Sequence, residues 1–339
     1  MKKGLKLSAL LMSAVVAAGV FAGCGNGAEN TEANENTEVE QSVVETVPVN
    51  VAMLKGPTGI GAVELMEKSA NGESEGTYNF SVAAAPTEVN AKILSGEVDI
   101  AAVPTNLASV LYNKTEGEVS VLALNTLGVL YIVDNGAEIE SIADLEGKTI
   151  CTSGQGAVPE YVLDYILEEN GIENVTVDYK AEHAEVAAAI ADGTAQVAML
   201  PEPNVTAVTM KNENVKVALD MTEEWDKISD DTMAMGCVIV RNEFLAEHPE
   251  TVALFLDEYE ESINFVNENA ADASLLVEKF GIMPAAKAAE KAIPSCNIVY
   301  EDGEEMKSVL TGFYEVLFNA DAKSVGGKLP DDNFYYIEK

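Results

Sequence analysis

Apolar residues in this chain fall in short runs, separated by glycine- or proline-containing loops and by stretches at helical spacing. Residues 47–54 form one run, followed by Lys55-Gly56-Pro57-Thr58-Gly59-Ile60-Gly61 and then by helical spacing over 62–68. Residues 77–84 read as a second strand, 87–95 as a helix that Gly96 ends, and 98–103 as a third strand that Pro104 ends. The same order returns over 148–152 (strand), 158–170 (helix), 175–179 (strand), 186–191 (helix, then Gly193) and 197–200 (strand, then Pro201). Val89, Ile93, Gly96 and Pro104 each recur 97 residues later, as Val186, Ile190, Gly193 and Pro201. Near the start of each unit, Gly59-Ile60-Gly61-Ala62-Val63 matches Gly154-Gln155-Gly156-Ala157-Val158 at an offset of 95.

Strands alternating with helices through short loops predict an α/β fold, with two similar lobes, each a mostly parallel sheet flanked by helices. In open sheets of this kind, ligands bind beyond the carboxyl ends of the strands, where helix N-termini offer free N–H groups. Two such crevices facing each other make a cleft that closes by hinge motion. Residues 119–124 and 128–133 lead out of the first lobe, and 235–240 lead back to long helices over 243–267 and 272–280, with a break near Pro249. The expected division is a discontinuous first lobe, 47–132 plus 233–339, and a second lobe, 133–232.

Charge narrows the partners. The chain has 339 residues with 20 basic against 57 acidic side chains, a net −37, and Arg241 is its one arginine. Nucleic-acid affinity comes largely from Lys and Arg on phosphates, so no nucleic-acid role is expected. Lys2, Lys3 and Lys6 precede an apolar stretch ending at Phe21-Ala22-Gly23-Cys24, which reads as an export signal. Losing residues 1–23 removes three lysines and no acid, taking the net charge from −37 to −40. Residues 25–46 carry six glutamates and no lysine, the composition of a disordered acidic tether. Cys151, Cys237 and Cys296 have no zinc-site spacing and are expected as buried free thiols; no metal or cofactor is predicted.

Enzymatic motifs are wanting. Gly56 and Gly61 have the spacing of a nucleotide-binding loop, but Ala62-Val63 stands where lysine and a hydroxyl residue belong. Glu64 replaces the third glycine of a dinucleotide fingerprint. No catalytic group emerges: His248 reads as solvated, and His183 ends a strand loop on the cleft side, where a ligand contact is one option. Trp225 is placed in a polar loop over 222–231, lining the cleft or covering a core edge. The ligand-binding candidates are polar or glycine positions in the strand-end loops. They are Lys55, Gly56, Thr58, Thr87, Thr105 and Asn106 in the first lobe, and Ser153, Gln155, Gly156, Glu202 and Asn204 in the second. Thr87 and Ser153 read equally as helix caps. With arginine so scarce, a neutral, zwitterionic or partly cationic ligand fits as well as an oxyanion.

Several segments together resemble a family. Cys24 after Ala22-Gly23 resembles a bacterial lipobox. With it stand Ile93-Leu94-Ser95-Gly96-Glu97-Val98-Asp99-Ile100 and Ile142-Ala143-Asp144-Leu145-Glu146-Gly147-Lys148. Leu200-Pro201-Glu202-Pro203 and Phe244-Leu245-Ala246-Glu247-His248-Pro249-Glu250 follow. The chain is similar to solute-binding proteins of ABC transporters of the nitrate/sulfonate/taurine group, which includes binders of thiamine-pyrimidine precursors. The resemblance implies a two-lobed periplasmic-binding-protein type II fold and a monomer anchored through lipidated Cys24 on the outer face of the bacterial cytoplasmic membrane, or in a periplasm. It implies a small polar organic solute, such as a sulfonate or pyrimidine precursor, passed to ABC permease and ATPase subunits. An enzyme on the same scaffold and a ligand-sensing lipoprotein with a signalling partner are the alternatives.

Overall fold

The structure is a computed structural model describing residues 47–337, so the export signal, Cys24 and the acidic tether lie outside the described residues. The chain opens with β1 (Val49–Leu54), α1 (Pro57–Ile60), α2 (Val63–Asn71) and β2 (Tyr78–Ala83). It continues through α3 (Pro86–Ser95), β3 (Ile100–Pro104), α4 (Thr105–Lys114) and β4 (Val119–Leu127). A second series follows: β5 (Leu130–Asp134), β6 (Thr149–Thr152), α5 (Val158–Glu169), β7 (Thr176–Tyr179) and α6 (His183–Asp192). It ends with β8 (Val197–Pro201), α7 (Asn204–Lys211), β9 (Lys216–Asp220) and α8 (Met221–Asp226). The chain returns through β10 (Ala234–Arg241), α9 (Asn242–Glu247), α10 (Pro249–Glu268), α11 (Ala270–Lys279) and α12 (Ala286–Ala292). The last elements are β11 (Ile298–Asp302) and α13 (Gly303–Ala320).

These strands make two sheets, ordered β11-β4-β10-β3-β1-β2 and β7-β6-β8-β5-β9. The repeat is visible in both: β1 lies between β3 and β2, and β6 between β8 and β7, all paired in parallel. The linking and returning strands add antiparallel partners, so each sheet is mixed. The 97-residue offset holds to the residue for α3 against α6 and for β3 against β8.

The first half of the repeat is less regular. Strand register pairs Val51 with Ile100 and Ile150 with Val197, an offset of 99 between the first strands. The following helices begin at Val63 and Val158, an offset of 95. The first lobe thus carries four extra residues between strand and helix, and they build α1. The glycine match holds at the helix starts, where Ala62 and Ala157 are the N-caps. It fails at Gly59, which is buried in α1, whereas Gly154 is a loop glycine with φ of 83°. A Cβ on Gly59 would fall on the Leu54 carbonyl oxygen, so glycine is required there for close approach.

One apolar cluster runs through both sheets. It joins Val103, Val121 and Ile239 to Ile150, Val162 and Met199, with Phe313 and Tyr314 of α13 against them. Trp225 sits in α8 rather than in a loop, because Asp220 caps that helix by accepting from the Thr222 N–H at 2.8 Å. It is fully buried, with ring centroids 5.0 Å from Tyr165 and 5.5 Å from Phe313. The indole therefore covers a core edge where the lobes join. His248 lies between α9 and α10, and Pro249 opens the new helix, the position a proline tolerates. Cys151, Cys237 and Cys296 are buried free thiols.

Candidate ligand cleft

Only Gly128 and Val129 separate β4 from β5, so the carboxyl end of β4 and the amino end of β5 are adjacent. Antiparallel pairing of Leu130 with Pro201 and of Tyr131 with Asp220 puts the carboxyl ends of β8 and β9 there too. In the first sheet, Gly236 pairs with Pro104 and Ile298 with Thr126, gathering the loops after β3 and β4 at the same junction. The strand-end loops of the two sheets face one another. Asn106 Nδ2 crosses between them and donates to the Gly156 carbonyl at 3.4 Å.

The junction is tightly built at the crossover. A Cβ on Gly128 would strike Thr222 Oγ1, and Asn297 Nδ2 donates to the Gly128 carbonyl. The second crossing runs between α8 and β10.

The candidate residues of the first sheet divide by exposure. Lys55 follows β1, is exposed and has no ion pair among the described residues. Gly56 takes φ of 99° with open space where a side chain would stand. Thr58 lies in α1, its carbonyl accepting from Asn125 Nδ2 at 3.2 Å. Thr87 is exposed in the first turn of α3 and is not its cap; Ala85 holds that position. Thr105 is fully buried and donates to the Ala234 carbonyl at 2.6 Å, tying α4 to β10. Asn106 is fully buried too, and its Nδ2 also donates to the Ser324 carbonyl at 3.2 Å.

In the second sheet, Ser153 is buried and does not cap α5, whose N-cap is Ala157. Its hydroxyl lies 2.5 Å from His183 Nδ1. His183 is the first residue of α6, and burial pulls its pKa down to about 4, leaving it neutral at pH 7. A hydroxyl beside an imidazole is how a base activates a nucleophile, but such a pair needs a group orienting the base. Among the described residues no carboxylate is hydrogen-bonded to His183. Gln155 and Gly156 are exposed, and the Gly156 N–H donates to Glu160 Oε2 at 2.5 Å. Glu202 is buried; its carboxylate accepts from the Thr206 N–H at 3.0 Å and from Thr206 Oγ1 at 2.9 Å. Burial raises its pKa, partly offset by those two bonds. Asn204 is half-buried at the start of α7.

Sequence reasoning missed Asn125, Asn297 and Tyr131. Asn125 is buried at the end of β4, donating to the Tyr259 hydroxyl at 3.1 Å as well as to Thr58. The signal was present: two adjacent polar residues, Asn125 and Thr126, interrupt the apolar run 121–124 near the end of the strand. Tyr131 is half-buried at the junction, its phenol pushed up to about 12 by burial first and then by Asp220 and Glu202. Among the described residues, no cluster of three or more His, Cys, Asp or Glu is placed to hold a metal, and no helix is long and apolar enough to cross a membrane.

A model of the family described as NMT1/THI5 like matches residues 79–273, more than half of the chain. The chain belongs to the NMT1/THI5-like family. Among solved structures, an ABC transporter protein from Parabacteroides distasonis is similar at 23% identity with a TM-score of 0.73, over 86% of this chain and 99% of that one. The periplasmic aliphatic sulphonate binding protein SsuA from Escherichia coli is similar at 12% identity with a TM-score of 0.69, over 86% of this chain and 92% of that one. The periplasmic nitrate-binding protein NrtA from Synechocystis PCC 6803 is similar at 13% identity with a TM-score of 0.58, over 74% of this chain and 69% of that one. At these identities the likeness is one of fold, and it extends the NMT1/THI5-like assignment to the two-lobed architecture. No match to a curated protein was found.

Proposed function

We propose that this NMT1/THI5-like chain is the extracytoplasmic solute-binding component of an ABC importer. It captures a small polar organic solute between its lobes and delivers it to a permease. The observation that carries this reading is the meeting of strand-end loops from two repeated sheets across a two-residue crossover, with Asn106 bonded to Gly156 between them. The architectural likeness to sulfonate- and nitrate-binding proteins supports it. The ligand contacts fall to Lys55, Gly56, Thr58, Thr87 and Asn106 on one side, and to Ser153, Gln155, Gly156, Glu202 and Asn204 on the other. Thr105 contributes by fixing α4. Closure is favoured to the extent that a solute touches both sides, since only differential contacts shift a conformational equilibrium.

Cleavage before Cys24 and lipidation of that cysteine anchor the chain through its acidic tether. The mass of the mature chain isolated from membranes tests this: the expected value is that of residues 24–339 plus acyl groups, and an unmodified, uncleaved chain refutes it. For solute capture, the protein is purified without added ligand and denatured, and released small molecules are identified by mass spectrometry. One compound per chain, which rebinds and raises Tm, is expected. A ligand at a hundredfold excess over Kd stabilises by about 2.7 kcal/mol. Turnover of that compound would instead establish an enzyme.

A further inference from the structure

We infer that the cleft takes a solute bearing a protonated nitrogen, an organic amine or amidine, which Glu202 holds on the second-sheet side, and that it rejects simple oxyanions. This rests on the solute-capture reading and narrows its chemistry. Helix N-termini are the usual anion sites of open sheets, because their first N–H groups lack partners. On α6 and α7 of the second lobe the chain's own carboxylates already occupy them, and a loop N–H ahead of α5 is occupied too. Gly156 N–H donates to Glu160 ahead of α5, and Thr206 N–H to Glu202 on α7. Glu182 and Glu185 form a reciprocal capping box on α6. An incoming sulfonate or nitrate would meet carboxylate oxygens there instead of free N–H groups.

The fold does not require this arrangement. By the 97-residue offset, Ala85 and Thr105 stand in the first lobe where Glu182 and Glu202 stand in the second. No side chain caps α3 or α4. On the second-sheet side the nearest strand-end cation is engaged, and the chain's one arginine is remote; Lys55, across the cleft on the first-sheet side, is unpaired among the described residues. Lys180, after β7, is bonded to Asp178 at 2.8 Å. Arg241 lies at the far end of the first sheet, paired with Asp99 at 2.9 Å and Glu243 at 2.8 Å.

Asn106 points to a donor-bearing ligand independently. It is fully buried, and both partners of its Nδ2 are carbonyls, which fixes the amide's orientation. Its Oδ1 is then a buried acceptor with no donor among the described residues, at the place where the two sheets' loops meet. Buried acceptors seldom go unpaired. A ligand N–H supplies the missing donor. Glu202 offers the matching charge: each carboxylate oxygen accepts one bond from Thr206 and retains a lone pair. Buried as it is, that carboxylate is costly to hold ionised without a cationic partner.

The test uses matched probes followed by thermal shift and titration calorimetry: taurine against ethanesulfonate, 4-aminobutyrate against butyrate, and acetamidine against acetate, with nitrate alone. Only the nitrogen-protonated member of each pair is expected to raise Tm. Glu202→Gln is expected to weaken its binding about tenfold to a hundredfold, the loss of one charge-assisted hydrogen bond. Should that variant fold poorly, Lys55→Glu at an exposed position carries the test. It is expected to tighten the cationic probe about twofold to fivefold through the added negative charge, where an oxyanion would be lost. Stabilisation by ethanesulfonate or nitrate, or the opposite sign for Lys55→Glu, overturns the inference. A co-purified compound lacking a basic nitrogen overturns it while leaving solute capture standing. Absence of any bound compound and of any stabilisation removes both.

Discussion

In the first lobe the connection from β1 to α2 is tightly packed. Gly59 lies against the Leu54 carbonyl, Gly61 against Ile263, and Thr58 against Gly236. In the second lobe the corresponding loop is four residues shorter and more open, with Gln155 and Gly156 exposed and no atom near where a Gly156 side chain would stand. The helix starts differ too: α3 and α4 are bare of side-chain caps, whereas carboxylates accept from first-turn N–H groups of α6 and α7. A duplicated frame of strands has thus been given two kinds of edge. One half is closely packed at its edge; the other carries carboxylates and an exposed loop.

That comparison can be broken at several points. The largest effect is expected where the halves share a core: Trp225→Ala should cost about 3–5 kcal/mol in a denaturant titration, since the indole is enclosed by Tyr165 and Phe313. A loss below about 1 kcal/mol would mean that the lobes do not depend on this contact. Next is Gly59→Ala, expected to cost about 3 kcal/mol or to block folding, because the new methyl meets backbone that cannot yield. His183→Gln sharpens the comparison on the other side, where the first lobe has Pro86 in its place. A histidine neutral when folded but protonated when unfolded loses stability as pH falls from about 6.5 toward 4. Relative to the variant, the wild type should lose about 2 kcal/mol between pH 7 and 5. Equal pH slopes for the two proteins would refute the burial of that imidazole. The smallest effect belongs to Gly156→Ala, about 1 kcal/mol from its φ of 74° alone.

Much of this architecture could be read in the chain because the repeat is nearly gapless after its first helix. Glycine and proline at equal spacing marked helix ends and strand ends, and Gly96 and Gly193 do take left-handed helix-ending conformations. The first loop misled at Gly59, since pairing glycines by sequence cannot tell a residue needed for close packing from one needed for positive φ. The antiparallel strands β9 and β11 and the helices α4 and α13 carry no repeat signal or sit among polar residues, and periodicity passed over them. The site was legible only as a set of loops. Which polar groups are consumed internally, such as Thr105 on Ala234 and Glu202 on Thr206, depends on neighbours about 130 residues away in one case and four in the other. Spacing along the chain shows the second kind of partner and hides the first.

Arg241 has a practical consequence. An arginine-specific protease has one place to cut, the bond to Asn242, and both amides flanking it are hydrogen-bonded, to Asp99 and Glu118 carbonyls. The guanidinium is itself clamped between two acids. Cleavage therefore requires the strand end to open, and the yield of the two fragments that meet at the Arg241–Asn242 bond counts opened molecules directly. Digestion with and without a bound solute would then read out how far occupancy of one end of the sheet steadies the other.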